Sequence, residues 1–328
     1  MKKIVFSLAA LFLPSVALAH GKWLVDDYQS VIANQHDLYE FYSLQSVEVS
    51  IWILFSIFVL VSARFLHHRL PEQKWLVKFA NKYSVYIDHV AQFILGVFLV
   101  ATALFWNVVI LPAEVVREPI MVTLKYAQVG IGLLFMLHIA SRYAAIGLII
   151  LTAVITITHG LEAVLENVIL FALGLYFYLM HTKVTTGIWA TLKKYSIDIV
   201  RIGTGVSLIV LAFTEKLLYP ELGMQFLAEH NWNFMQPLFP WFTNELFVLS
   251  TGMAEMLFGI IFIFGYITRI NTLVISLFFL ASVSTMLYQA NVWEVEDFVV
   301  YTAAVLLFFF SHTNTTLPDI FRKWFKRK

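Results

Sequence analysis

Residues 197–218 read IDIVRIGTGVSLIVLAFTEKLL, and this stretch decides the fold of the chain. Its middle is apolar, and its charged residues lie toward the two ends: Asp198 and Arg201 at one end, Glu215 and Lys216 at the other. An α-helix rises about 1.5 Å per residue, so the stretch is long enough to cross the roughly 30 Å of bilayer hydrocarbon. The sequence therefore predicts a membrane-spanning helix with charge toward both ends.

Comparable apolar runs recur along the chain and predict nine membrane helices. They cover approximately residues 49–66, 90–111, 120–140, 143–158, 163–180, 197–218, 246–267, 270–288 and 298–311. Hydrophobic residues make up 60% of the chain and charged residues 13%, whereas soluble globular chains have about 25% charged residues. This composition excludes a water-soluble protein and predicts an all-α, polytopic bundle in a lipid bilayer.

The composition also excludes several kinds of chemistry. Cysteine is absent, which rules out disulfides, cysteine-ligated iron–sulfur clusters and covalently attached c-type haem. The net charge is +1, and no basic tract precedes the C-terminus. A nucleic-acid partner is therefore not expected.

The N-terminus has the pattern of an export signal. Lys2 and Lys3 precede an apolar run that is too short to span a bilayer, and small residues at Ala17 and Ala19 fit a signal-peptidase site. We expect residues 1–19 to be cleaved, which would leave His20 as the first mature residue and residues 20–47 as an external segment. The pattern is bacterial in type and predicts an inner-membrane protein with a periplasmic N-terminus. The alternative is an uncleaved anchor.

The distribution of basic residues supports nine helices with this orientation. Positive charge concentrates in cytoplasmic loops, and an exported N-terminus makes the loops after odd-numbered helices cytoplasmic. The loop that follows the first helix, within residues 48–88, is basic, and so is the tail at residues 314–328. With an even number of helices, the basic tail would lie outside.

Two sets of four helices carry similar marks and predict an internal repeat, over residues 89–182 and 197–313. Gln128 lies fourteen residues before Arg142, as Glu255 lies fourteen before Arg269. A four-helix unit begins and ends on the same side, so its copy has the same orientation. The sequence thus predicts a tandem parallel repeat, with convergent hydropathy as the alternative.

The second set resembles the DoxX/DoxD-like membrane proteins. The resemblance rests on the polar marks RIGTG at residues 201–205, EKL at 215–217, YP at 219–220, GMAEMLFG at 252–259 and GYITR at 265–269. It implies a four-helix bundle, and one type of member is the membrane subunit of a thiosulfate:quinone oxidoreductase. Other members accompany redox-stress or metal-homeostasis proteins. The first set departs from the pattern, because Gln128 replaces the acid and Asn107 and Val108 stand where the Glu–Lys pair would be.

Three charged residues are the candidate catalytic set: Glu215, Lys216 and Glu255. Glu255 lies ten residues past Glu245 and therefore about 15 Å deep, where an ionisable group is costly unless it is paired or solvated. We expect Lys216 to reach toward Glu255, which would make Glu255 a proton-exchanging carboxylate in an outward-facing polar pocket. The alternative is an ion pair that only holds two helices together.

Two further residues are candidates for binding a cofactor. Arg201 lies about 21 Å along the helix from Glu215, so we expect it to meet Asp198 or a lipid phosphate. Trp232 belongs to the loop between the sixth and seventh helices, which could act as a lid over the acids or form part of the aromatic belt at the membrane interface.

Histidines give weaker candidates for metal and haem. A free His20 would offer an α-amine and an imidazole to copper, with His36 nearby in the same external segment. Chance placement after the cleavage site is the alternative. Four histidines are expected at one depth and could face a b-type haem or simply lie at the interface: His89, His138, His181 and His312. The motif His159-x-x-Glu162-x-x-x-Glu166 is a further weak metal candidate, which the glycine at 160 disrupts.

These features predict the membrane subunit, or the partner, of a quinone-linked redox system or a metal- or sulfur-stress system. Because the chain has no motif of its own for moving electrons, a protein partner that carries electrons or metal is expected. Two alternatives remain: an ion or small-solute carrier, and a non-catalytic membrane anchor or assembly factor for an exported metalloprotein.

Overall fold

The computed structural model describes residues 42, 46–110, 119–183, 186–230, 232–289, 297–311 and 316–319, and for residues 119, 158, 159, 162, 286, 289 and 297 only the backbone. The described part is helical and contains no strand. Its helices are α1 (Val47–Arg69), α2 (Lys74–Lys82), α3 (Ser84–Phe105), α4 (Pro119–Met136), α5 (Ser141–His159), α6 (Leu161–Glu166), α7 (Val168–Met180), α8 (Gly187–Lys194), α9 (Ser196–Ala212), α10 (Pro220–His230), α11 (Asn244–Phe264), α12 (Thr268–Gln289) and α13 (Asp297–Phe310). A π-helical segment, Phe213–Leu218, extends α9 and is called the π turn below.

Five helices in the described ranges are long and apolar enough to cross a membrane. They are Val47–Arg69, Ser84–Phe105, Ser196–Leu218, Asn244–Phe264 and Thr268–Thr285, and α4, α5, α7 and α13 contain shorter apolar stretches. Large apolar side chains are exposed on these helices, including Leu54, Phe58 and Val61 on α1. The apolar helices indicate a lipid bilayer environment. The count of nine spans stays a prediction.

Local sequence signals explain where several helices begin and end. The Ser46 hydroxyl accepts a hydrogen bond from the Val49 amide at 3.2 Å and caps α1. Thr243 caps α11 in the same way through the Leu246 amide. Gly265 ends α11 with φ of 76°, a left-handed conformation that glycine adopts without steric cost. The ends of α11, which carries Glu255, are thus set by its own sequence.

The larger helices pack into a closed ring. In order around the ring they are α3, α4, α5, α7, α9, α11, α12 and α13, and α13 returns to α3. The main buried apolar cluster fills the ring and includes Phe98, Phe135, Leu170 and Leu306. Helix α1 packs on the outside, against α11.

Two glycine pairs allow close helix contacts in this ring. A Cβ atom added to Gly205 on α9 would lie 2.6 Å from the Gly259 carbonyl oxygen on α11. A Cβ atom added to Gly96 on α3 would lie 2.6 Å from the Gly132 carbonyl oxygen on α4. Small residues let membrane helices approach at backbone distance, and the α9–α11 contact positions Lys216 next to Glu255.

Candidate functional site

The π turn carries two of the three candidate catalytic residues. It follows α9 directly and ends before Tyr219 and Pro220, and proline has no amide hydrogen to continue a helical ladder. A π-helix bonds residue i to residue i+5, and short π segments within α-helices occur frequently at functional sites. Glu215 and Lys216 lie side by side in this segment.

Lys216 lies between two carboxylates. Its Nζ is 2.9 Å from Oε2 of Glu255 and donates a hydrogen bond to it, and it is 4.0 Å from Oε2 of Glu215. The Glu255 side chain is 8% exposed, that of Glu215 15% and that of Lys216 26%. The structure therefore brings Glu215, Lys216 and Glu255 together, and the contact between Lys216 and Glu255 expected from the sequence is present.

Packing around Glu255 keeps the two helices close. A Cβ atom added to Gly252 would lie 3.0 Å from the Lys216 Cβ and 3.0 Å from Cδ2 of Leu217. The space that a larger side chain would fill is thus taken by the π turn itself. Oε1 of Glu215 is buried and has no hydrogen-bond donor in the described part of the chain. A buried carboxylate oxygen normally has a partner, so this atom is available to a water or a ligand.

A fourth acid, Glu166, contacts the π turn through Thr214. Its side chain is buried, and its Oε1 accepts a hydrogen bond from the Thr214 hydroxyl at 3.3 Å. Sequence reasoning considered Glu166 only as part of a weak metal motif with His159 and Glu162, whose side chains lie outside the described residues. Its spacing along the chain gave no sign of a contact with residue 214.

Arg201 lies at the other end of α9, as the sequence predicts. The Asp198 carboxylate pairs with it at 3.0 Å. The Arg201 guanidinium also donates to the Phe262 carbonyl and, at 2.9 Å, to the Ile263 carbonyl, near the end of α11. A cation there interacts favourably with the helix dipole, and the side chain is almost fully buried. Arg201 therefore joins α9 to α11 and is not part of the cluster around Lys216.

Trp232 lies in an aromatic cluster beside α10. Its ring packs against Phe226, Phe234 and Phe247 at centroid distances of 5.5 to 5.9 Å. Phe247 is eight residues before Glu255 on α11, hence about 12 Å away along the helix. Trp232 thus lies at the end of the bundle nearer the π turn, packed among these phenylalanines.

A second polar network, which sequence reasoning missed, lies at the end of the bundle where α3 begins. His181 Nε2 is 2.9 Å from Oδ2 of Asp88 and 3.1 Å from Nε2 of Gln92. The Ser141 hydroxyl donates to Oε1 of Gln92 at 2.6 Å. The predicted span began at residue 90, so Asp88 was assigned to a loop; α3 begins at Ser84 and includes it.

Two of the histidines considered for haem stack directly on each other. The rings of His89 and His138 are 4.1 Å apart, with 10° between their planes. Burial and the nearby His89 lower the pKa of His138. Parallel rings at this distance leave no room for a haem between them. His312 lies outside the described residues.

Among the metal candidates from the sequence, the structure describes only the side chain of Glu166. No group of three or more His, Asp or Glu side chains in the described part of the chain is placed to hold a metal ion. His20 and His36 lie outside the described residues, so the copper hypothesis stays a prediction from the sequence.

No protein-family model, curated protein or solved structure matches the chain.

Proposed function

We propose that this chain is a DoxX-like membrane protein in which Glu255, Lys216 and Glu215 form a proton-exchange site for a quinone-linked redox system. The single observation that supports this proposal is the geometry of the π turn, where one lysine lies between two largely buried carboxylates. Glu215 also offers a buried oxygen without a donor in the described ranges. Ionisable groups within membrane helices are functional candidates because placing them there is costly.

The chemistry assigned to each residue follows from its position. Quinone reduction takes up two electrons, which a partner protein would supply, and two protons. Glu255 would hold one proton at its carboxylate and release it toward the substrate oxygen, while the Lys216 ammonium stabilises negative charge at that oxygen by a charge-assisted hydrogen bond. Glu215, next to Lys216, would relay the following proton. The same set could act on a small sulfur or metal species in a stress-response system.

Binding of a quinone tests this proposal directly. The full chain in nanodiscs should bind decyl-ubiquinone, measured by quenching of its tryptophan fluorescence. Glu255→Gln should weaken binding at least tenfold, while Glu229→Gln, on the exposed surface of α10, should leave it unchanged. Equal binding by both variants, or no binding by the unaltered chain, would refute the proposal.

We also propose the tandem repeat and the nine-span topology. In support, α3 packs on α4 as α9 packs on α11, and α13 meets α3 as α7 meets α9. Gly96 and Gly132 lie at the α3–α4 contact, and Gly205 and Gly259 lie at the α9–α11 contact. Gln128 lies four residues before Gly132, as Glu255 lies four residues before Gly259. In the first unit the uncharged side chain of Gln128 forms hydrogen bonds with the Thr102 hydroxyl and with backbone groups. Only the second unit therefore has the charged pair.

We propose that the protein lies in a bacterial inner membrane, with the mature N-terminus outside and the C-terminus in the cytoplasm. Single introduced cysteines can test this orientation, because the chain has no cysteine of its own. Glu229→Cys on α10 should react with an impermeant maleimide added to intact spheroplasts. Lys78→Cys on α2 should react only after lysis. The opposite labelling pattern would overturn the orientation.

A carrier is the second candidate function, and one observation favours it. Charged groups occupy both ends of the helix that α9 and the π turn form: Asp198 and Arg201 at one end, Glu215 and Lys216 at the other. A carrier would take up an ion into proteoliposomes without a redox partner, and Glu255→Gln would abolish the uptake. If the chain were instead an anchor or assembly factor, it would co-purify with an exported metalloprotein and tolerate Glu255→Gln.

A further inference from the structure

A cavity of about 590 Å³ lies at the end of the bundle opposite the π turn. Its wall comes from α2, α3, α7, α8, α9, α12 and α13, so it lies where the two sets of helices meet. Its volume is within the range of about 300–1,000 Å³ typical of small-molecule sites. The wall includes three basic residues outside the networks described above: Lys193, Lys194 and Arg269.

The two acids on this wall each have a side-chain partner, and for Asp198 that partner is a permanent cation. Asp88 is 2.9 Å from His181, and Asp198 is 3.0 Å from Arg201. Asp88 can offset at most one of the three remaining positive charges, so the cavity has an excess of positive charge.

The three basic residues have no salt bridge within the described part of the chain. Lys193 donates to the carbonyls of Met180 and Thr182, and Glu72 acts on Arg269 electrostatically from beyond contact distance. Nη1 of Arg269 is buried and has no hydrogen-bond acceptor among the described residues. A buried guanidinium nitrogen normally has an acceptor, and an anionic oxygen in this cavity would provide one.

An apolar cavity of about 370 Å³ adjoins the first one. It lies among α3, α12 and α13, with Ile94, Leu273 and Val305 on its wall, and Phe309 lines both cavities. Arg269 donates to the Phe309 carbonyl at 3.4 Å, so its guanidinium lies near the junction of the two. A ligand that occupies both cavities needs an anionic head and an apolar tail.

The helices beside the basic cavity have the composition of membrane-interface helices. Trp75 on α2 is 67% exposed, and Ile188 and Trp189 on α8 are 71% and 46% exposed. Both helices also carry lysines. Amphipathic helices with tryptophan and lysine lie at the level of the lipid headgroups, so the cavity lies where lipid phosphates are abundant.

We infer that these two neighbouring cavities bind one acidic phospholipid, with its phosphate against Arg269, Lys193 and Lys194 and an acyl chain in the apolar cavity lined by Phe309. Basic pockets between membrane helices bind anionic lipid headgroups in this way. The inference is independent of the quinone site proposed at the π turn.

Titration with a soluble short-chain lipid tests the inference. The full chain, purified in a neutral detergent, should gain thermal stability on addition of dioctanoylphosphatidylglycerol, with saturation at one lipid per chain by native mass spectrometry. Lys194→Gln, at an exposed residue, should weaken binding about fivefold, and Arg269→Gln by at least as much. Arg142→Gln is the matched control: this arginine lies over the ring of Tyr178, outside the cavity, and affinity should not change.

Further probes identify what the site recognises. Ser276→Phe, which fills the apolar cavity, should weaken binding of the lipid but not the small stabilisation given by glycerol phosphate. Dioctanoylglycerol, which lacks the phosphate, should bind at least tenfold more weakly than the phospholipid. If dioctanoylglycerol binds equally well, if inorganic phosphate alone has the same affinity, or if Lys194→Gln binds like Arg142→Gln, the inference is wrong.

Discussion

The strongest quantitative prediction concerns the replacement of Lys216 by methionine. At an effective dielectric constant of about 20, unit charges at the observed distances attract by about 6 kcal/mol for Glu255 and about 4 kcal/mol for Glu215. Most of this attraction offsets the cost of removing the three charges from water. Removing one partner of a buried pair destabilises a protein by about 3–5 kcal/mol, and water reaching the partly exposed lysine reduces the expected loss to about 2–3 kcal/mol.

A double-mutant cycle isolates the contact between Lys216 and Glu255. Glu255→Gln alone should cost about 1–2 kcal/mol, and the double variant should be more stable than the sum of the single losses by about 2 kcal/mol. The measurement is equilibrium unfolding of the full chain in mixed SDS micelles, followed by tryptophan fluorescence. In the control cycle, Lys216→Met combined with Glu229→Gln should be additive. If the Glu255 cycle is additive to within about 0.5 kcal/mol, the two residues are not energetically coupled and the reasoning fails.

Three other predictions follow from the packing and the polar networks. Gly205→Ala should destabilise the bundle by about 1–3 kcal/mol, because its Cβ would overlap the facing carbonyl; Gly130→Ala on α4, with open space around it, should be neutral or slightly stabilising in the same unfolding assay. The pKa of His138, measured by NMR titration, should lie below 6.5 and should rise in the His89→Gln variant. The folded state favours the neutral form of His138. Its contribution to stability should therefore be complete above about pH 6.5 and should fall as the pH drops toward its folded pKa. A rising contribution on acidification would contradict that assignment. Gln128→Leu should lower the free energy of unfolding, measured by chemical denaturation, by about 1–3 kcal/mol. The reason is that the buried backbone amide of Ile110 loses its acceptor, Oε1 of Gln128 at 2.6 Å. An unchanged midpoint would show that water takes the place of the Gln128 side chain.

The helical class and two charged contacts could be predicted from the sequence because they depend on composition and on helical rise. Depth along α11 placed Glu255 near the level of Lys216, and a spacing of three residues placed Asp198 beside Arg201; both contacts are present. These arguments need only straight helices and the cost of burying charge.

Other contacts could not be predicted because they depend on how the ring closes. The pairing of Asp88 with His181 joins residues 93 positions apart, and no local pattern specifies which helices become neighbours. The π turn is equally hidden, since a change from i→i+4 to i→i+5 bonding leaves no distinct composition. The predicted span also began at residue 90, six residues after the observed start of α3 at Ser84, so the prediction placed Asp88 outside its helix.

The π turn makes the arrangement of charges sensitive to chain length as well as to side-chain identity. Loss of one residue between positions 213 and 218 would let this segment return to ordinary α-helical bonding and rotate the side chains on one side of the deletion by about 100° relative to those on the other. The Lys216 ammonium group, which faces α11, would then turn toward lipid, although the chain would still contain every charged residue. A single-codon deletion here should therefore be more damaging than many substitutions, and the number of residues between Gly205 and Pro220 is itself a structural requirement.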